Sequence, residues 1–123
     1  MSRFRKFVKS KIQGLRITGK ELHYEGSLEL DANLLSAADI LPGEMVQVVN
    51  VNNGARFETY VIAGKSGSGS CVLKGGAARL GEVGDKLIVM STSYLAEPEG
   101  KQYKMIKVSV DTNNSIIREE GCA

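Results

Sequence analysis

The chain has 123 residues, enough for one core and too few for a nucleotide-binding domain beside a substrate domain. Sixteen Lys and Arg against 14 Asp and Glu leave a formal net charge of +2, too mild to argue for a nucleic-acid partner by itself. One His and 2 Cys nearly exclude a His/Cys metal site, because four closely spaced ligands of those types cannot be assembled.

The first element is basic. Arg3, Arg5, Lys6, Lys9, Lys11, Arg16 and Lys20 fall in residues 1–20, which hold no Asp or Glu, while residues 21–123 are net acidic. Such an arm suits RNA, anionic lipid or a small acidic ligand, or is a solvated strand face. Within it, residues 7–18 partly alternate apolar and polar, as a strand with one wet face does. Leu22-His23-Tyr24 and Leu28-Glu29-Leu30 read as short strand pieces around Gly26-Ser27. Asp31 caps a predicted helix whose apolar face is Leu34, Leu35, Ala37, Ala38 and Leu41, and Leu41-Pro42-Gly43 ends it. Residues 45–51 and 56–62 form a predicted hairpin, with Asn53-Gly54 supplying the positive φ values of a tight turn. Residues 65–70 form a loop, flexible by its Gly/Ser composition. Residues 71–73, 87–90 and 103–110 are further strands, and a helical turn follows Gly75-Gly76 through Leu80. From Gly100 onward the expectation is one more strand and a polar tail. Roughly seven strand candidates with Gly-rich turns predict a mainly β single domain, 1–123, closed into a barrel with one or two short helices.

Several motifs fail. Gly64-Lys65-Ser66 resembles the end of a phosphate loop, but the Gly required five residues earlier is Thr59. No GxSxG elbow exists, and His23, the only imidazole, is the sole base open to a Ser-His-Asp triad. No apolar run is long enough to span a bilayer, so no membrane role is expected. Cys71 and Cys122 lie far apart without a CxxC, which predicts a reduced, cytoplasmic protein with two unpaired thiols.

A set of segments survives together. Lys11-Ile12-Gln13-Gly14 leads to His23-Tyr24-Glu25-Gly26-Ser27, then Asp31 and residues 34–44. Asn53-Gly54-Ala55-Arg56-Phe57-Glu58-Thr59-Tyr60, Gly75-Gly76-Ala77-Ala78 and Val83-Gly84-Asp85 follow in order. Over roughly residues 1–95 this resembles the pyruvoyl-dependent aspartate 1-decarboxylase family; beyond Pro98 the likeness is weak. The resemblance implies a double-psi, six-stranded β-barrel and a homotetramer with active sites between subunits. It implies conversion of L-aspartate to β-alanine and CO2 on the route to pantothenate, with no metal and no pyridoxal phosphate. It also implies that the cofactor is a pyruvoyl group made from Ser27, by self-cleavage between Gly26 and Ser27. That group would bind the substrate amine as a Schiff base and accept electrons as the carboxylate leaves. A helper protein for this maturation is left open, as is glutamate as substrate in place of aspartate.

The implied roles fall on single positions. Tyr60 matches the proton donor, and Thr59 a residue that contacts substrate and helps polarise the Gly26 carbonyl. Lys11 and Arg56 match the cations for substrate carboxylates. Gly75, Gly76 and Ala77 match a backbone cradle, and Tyr24 lies near the bond that breaks. Lys74 departs from the family's usual Asn. It either adds a cation for an acidic substrate or points to solvent. Outside the resemblance, the same residues read as a turn, a core tyrosine, a strand threonine and solvated charges. The competing reading is a non-enzymatic barrel that binds a nucleic acid or protein through the basic strand.

Overall fold

The computed structural model describes residues 3–122, with the side chain of Cys122 outside the description. Nine strands form one sheet: β1 (Phe4–Arg16), β2 (Gly19–Glu21), β3 (Ser27–Asp31), β4 (Met45–Asn50), β5 (Arg56–Gly64), β6 (Cys71–Lys74), β7 (Lys86–Ala96), β8 (Met105–Val110) and β9 (Ile116–Cys122). Two short helices, α1 (Ala32–Ala37) and α2 (Glu97–Gly100), and a 3₁₀ helix, Gly75–Leu80, complete the described chain. The strand order is β2-β6-β3-β5-β4-β7-β1-β8-β9. Three pairings are parallel, β2·β6, β3·β5 and β1·β8, and the rest antiparallel. Ile12, Leu28, Leu30, Val48, Val61, Leu73, Val89 and Val108 meet in a single apolar cluster, so the sheet is rolled around one core. Each such side chain contributes about 1.5–3 kcal/mol by leaving water. The mainly β expectation holds.

The partial alternation in β1 has a cause. Ser10 and Ile12 are buried, and so are Leu15 and Ile17, so the inward face changes parity between Ile12 and Leu15. A bulge against β7 lies there, at Gly14, whose φ is +90°. A Cβ on Gly14 would lie 2.9 Å from the Val110 carbonyl oxygen, so the β1·β8 approach needs glycine.

Five local expectations change. Residues 22–24 form a bend, and the strand before the junction is instead Gly19–Glu21, held by pairing with β6. The β4–β5 hairpin forms, but around a four-residue turn, 51–54. The Asn50 amide donates to Ala55 O at 2.8 Å, and positive φ occurs at Gly54 and not at Asn53. Helix α1 stops at Ala37 as Asp39 turns left-handed (φ 55°), which leaves Leu41 exposed. Loop 65–70 is tied down: the Asp31 carboxylate accepts from Gly67 N at 3.0 Å and Gly69 N at 2.8 Å, while also capping α1 at Asn33 N. The polar tail is strand β9, antiparallel to β8.

Candidate active site

Strand β3 starts at Ser27, and the residues just before it are outside any strand. Its ladder with β5 begins at Leu28↔Val61, and its ladder with β6 at Ser27↔Lys74. Ser27 and Gly26 precede the first β3·β5 pair, as Tyr60 and Thr59 do on β5. The Gly26–Ser27 peptide therefore lies where β3 peels away from β5. Ser27 is fully buried, and its Oγ has no hydrogen-bond partner. A buried hydroxyl left so costs about 1–3 kcal/mol, an expense a strand-starting alanine would avoid.

The 3₁₀ helix closes the other side. Gly75 sits at φ +66°, and a Cβ there would lie 2.5 Å from Tyr24 O, 2.7 Å from Gly26 N and 2.8 Å from Gly26 Cα. Its backbone packs directly on the segment that carries the junction. The far end of this helix is held from the hairpin: Leu80 O accepts from Asn50 Nδ2 at 3.1 Å and Asn53 Nδ2 at 3.0 Å. Asn50 Nδ2 also donates to Asp85 Oδ2 at 2.9 Å, and that bond with the Glu82 amide holds the Asp85 pKa below its ordinary value. Sequence reading passed over Asn50; its one signal is an amide at an inward-facing strand position.

Gly26, Thr59, Tyr60, Gly76 and Ala77 line one cleft of about 380 Å³. Met45, Phe57 and Leu80 give it apolar walls, and Glu58 adds a carboxylate. Thr59 and Tyr60 project to opposite faces of β5, Thr59 buried and Tyr60 half-buried. Both reach the cleft because β5 has lost its β3 neighbour there, and the exposed strand edge offers both faces. Gly76 is exposed and Ala77 buried, so the cleft meets the first turn of the 3₁₀ helix.

Two predicted residues stand apart. Arg56 is exposed at the start of β5, on the face it shares with Glu58 and Tyr60, and does not line the cleft. Lys11, on β1 opposite Met90 and Lys107, does not line it either. In sheet order β1 is three strand spacings from β5, roughly 14 Å along the sheet.

Comparison with known proteins bears on this arrangement. The family model described as Aspartate decarboxylase matches residues 3–117. A protein of Thermoanaerobacter pseudethanolicus named aspartate 1-decarboxylase is 49% identical over 117 residues, covering 95% of this chain and 98% of the relative. Proteins of the same name from Sulfurihydrogenibium sp. and Staphylococcus epidermidis are 46% and 51% identical. They cover 95% and 92% of this chain and 87% and 88% of their own lengths. The chain belongs to the aspartate decarboxylase family. The match runs past Pro98 through β8 and into β9, where no motif was legible in the sequence.

In this family member Lys74 takes neither course expected of it. Its side chain is 9% exposed, and Nζ lies 3.3 Å from both Glu29 Oε1 and Glu21 Oε2. The Tyr24 ring covers the ammonium, with its centroid 4.4 Å from Nζ. Burial works against the charge, but the bonds to Glu29 and Glu21 outweigh it and hold the Lys74 pKa above its ordinary value. Lys74 is thus a neutralised cation beside the junction, and it does not line the cleft.

The basic strand is also partly engaged. Arg3 and Arg5 reach Glu97 at 3.7 and 2.7 Å, and Lys9 reaches Glu44 at 3.3 Å and Asp39 O at 2.5 Å. His23 is exposed. Among the described residues no group of three His, Cys, Asp or Glu is placed to hold a metal ion, and no helix is long and apolar enough to cross a membrane.

Proposed function

We propose that this chain is a pyruvoyl-dependent aspartate 1-decarboxylase that makes its own cofactor by cleaving itself between Gly26 and Ser27. The observation that carries the reading is the buried, unpartnered Ser27 hydroxyl beside a glycyl carbonyl, at the point where β3 leaves β5 and Gly75 packs on the preceding backbone. Ser27 Oγ adds to the Gly26 carbonyl carbon, and the C–N bond breaks as the ester forms, with no change in composition. Loss of the Ser27 Cα proton then expels Gly26 as a carboxylate and leaves dehydroalanine. Water replaces the nitrogen, which departs as ammonia, and residues 27–123 begin with a pyruvoyl group.

The residues present fit such a group. An orphaned hydroxyl is free of competing hydrogen bonds, and a Cβ-free neighbour leaves room at the carbonyl. When formed, the pyruvoyl carbonyl supplies an electron sink for the pair released as the α-carboxylate leaves. Thr59, which lines the cleft together with Gly26, supports polarisation of that carbonyl. Tyr60, which lines the same cleft, holds a proton where the substrate carbon needs one returned. Backbone amides at Gly76 and Ala77 suit a substrate carboxylate.

Within one chain Glu58, whose carboxylate accepts from Gln47 Nε2, is the charged residue lining the cleft, and neither Lys11 nor Arg56 lines it. Lys11 and Arg56 supply the missing charge if a second copy presents them. This supports sites shared between subunits, as in the homotetramer that the resemblance implies. We read the rolled sheet, with its parallel β3·β5 and β1·β8 pairs, as the double-psi barrel, and the protein as a cytoplasmic enzyme that supplies β-alanine for pantothenate. The ion pairs at Arg3, Arg5 and Lys9 leave less free charge for a nucleic-acid arm.

Mass spectrometry of purified protein tests this. The expected result is two chains, 1–26 and 27–123, whose masses together exceed the precursor by one water less one ammonia, and β-alanine formed from aspartate faster than any product from glutamate. An intact chain after prolonged incubation, with no β-alanine, overturns the reading.

A further inference from the structure

We propose, resting on the self-cleavage reading above, that Lys74 is a positioning residue that clamps the segment to be cut. The argument starts from where its three partners sit. Glu29 lies two residues past Ser27 on β3, whereas Glu21 ends β2 and Tyr24 lies in the bend before Gly26. The ammonium bridges both carboxylates at 3.3 Å and lies under the Tyr24 ring, so its contacts straddle the bond. Lys74 itself pairs with Ser27 in the β3·β6 ladder, and the next residue, Gly75, touches the backbone of Tyr24 and Gly26.

Residues 22–26 need such an anchor. They join two strands without belonging to either. Among the described residues no side-chain hydrogen bond or ion pair is recorded for this segment, and the Tyr24 ring lies over the Lys74 ammonium. An ammonium on a four-carbon stem can serve two carboxylates and an aromatic face at once, because it is a compact charge with three donors. A neutral amide has two N–H donors but no charge to offset two carboxylates. Lys74 makes no hydrogen bond to the Ser27 hydroxyl, so its effect on cleavage is through the placing of Gly26.

The clamp has a second consequence. Glu21 and Tyr24 belong to the fragment 1–26, and Lys74 and Glu29 to 27–123. After cleavage the same cluster ties the new end of the small chain beside the cleft, where β2·β6 pairing covers only three residues.

Cleavage of purified full-length variants, followed by intact mass over time, tests this. Lys74→Met, of similar length and no charge, is expected to cleave about tenfold more slowly or worse, since a small misplacement of reacting atoms is costly. Lys74→Arg restores the charge and is expected within about threefold of wild type. Glu21→Gln removes the exposed carboxylate and is expected to slow cleavage about twofold to fivefold, with melting temperature unmoved. Wild-type cleavage rate in Lys74→Met overturns the clamp, as does slowing that merely tracks a fall in melting temperature and is absent from Glu21→Gln. If Lys74→Met does not fold, Glu21→Gln decides: a wild-type rate there overturns the proposal. An intact wild-type chain overturns self-cleavage and the clamp together, whereas a cleaving wild type with an equally fast Lys74→Met overturns the clamp alone.

Discussion

Replacing Gly75 with Ala should damage stability and self-cleavage together. The added methyl would sit 2.5 Å from Tyr24 O, 2.7 Å from Gly26 N and 2.8 Å from Gly26 Cα, all backbone atoms that cannot swing aside. Restoring ordinary contact requires residues 24–26 to retreat by about 1 Å, since unstrained separations are about 3.5 Å. The left-handed φ of +66° adds about 1–2 kcal/mol for a residue with a Cβ, and overpacking adds about 1–3 kcal/mol. The sum is about 2–5 kcal/mol, which lowers the melting temperature of a domain this size by roughly 10 °C or more. Melting is best compared in a Ser27→Ala background, where every chain stays intact. Gly76→Ala is the stability control, because nothing lies within 4 Å of its added methyl and its φ is not left-handed. With Ser27 present, a junction displaced by about 1 Å should cleave about a hundredfold more slowly. A Gly75→Ala chain that melts within about 2 °C of its parent and cleaves at the wild-type rate refutes the packing argument.

Ser27→Ala should abolish cleavage in intact-mass measurements, yet raise thermal stability by about 1 kcal/mol, because it removes a buried hydroxyl without a partner. Asp31→Ala should destabilise by about 3 kcal/mol or more in denaturant unfolding, since three amide donors lose one carboxylate, and Asp31→Asn should cost less. Burial raises the Asp31 pKa, but the amides of Gly69, Asn33 and Gly67 outweigh it and leave it below the ordinary 3.8. Glu44 is likewise held below its ordinary 4.5, by Ser91, the Leu41 amide and Lys9 against the effect of burial. Both groups bind fewer protons when folded, so their stabilisation is full above about pH 5 and is lost as pH falls through and below 4; acid unfolding should weaken in Asp31→Asn. Burial pushes the Cys71 thiol up to about 12, so in a Cys122→Ser background no thiol should react with an aromatic disulfide at pH 8 until the chain unfolds.

How legible the fold was depended on what held each element. The β4–β5 hairpin and α1 were readable because their signals are local: strand alternation, an Asp cap and a Gly turn. Strand β2 was not, because Gly19-Lys20-Glu21 carries no apolar pattern and exists through pairing with β6. The triplet Leu22-His23-Tyr24 misled for the opposite reason: it has apolar residues at alternate positions, as a strand does, and no neighbour to pair with. Strand β9 hides behind Arg118-Glu119-Glu120, charges suited to a sheet edge and silent as a strand signal. The site was legible through the order of its segments, which named Gly26, Ser27, Thr59, Tyr60 and Gly75. Geometry across strands was not, so the engagement of Lys74 by Glu21 and Glu29, and the separation of Lys11 and Arg56 from the cleft, needed the structure.

Three departures from ordinary folding rules meet at one place. Ser27 buries a hydroxyl without a partner, Gly75 takes a left-handed backbone under a direct backbone contact, and Lys74 buries an ammonium. Each is unfavourable taken singly, and each would be relieved by a common substitution: Ala, Asn or an apolar residue. Sequences that serve stability alone do not gather such features at consecutive rungs of one ladder. Here Ser27 and Lys74 are register partners, and Gly75 follows on the next rung opposite Gly26. Unpartnered hydroxyls are also buried at Ser10, Ser70 and Tyr103, and Gly14 is another tight left-handed glycine, but at the Gly26–Ser27 peptide three such features converge. That convergence fits the proposed self-cleavage, in which this peptide is built to break rather than to hold.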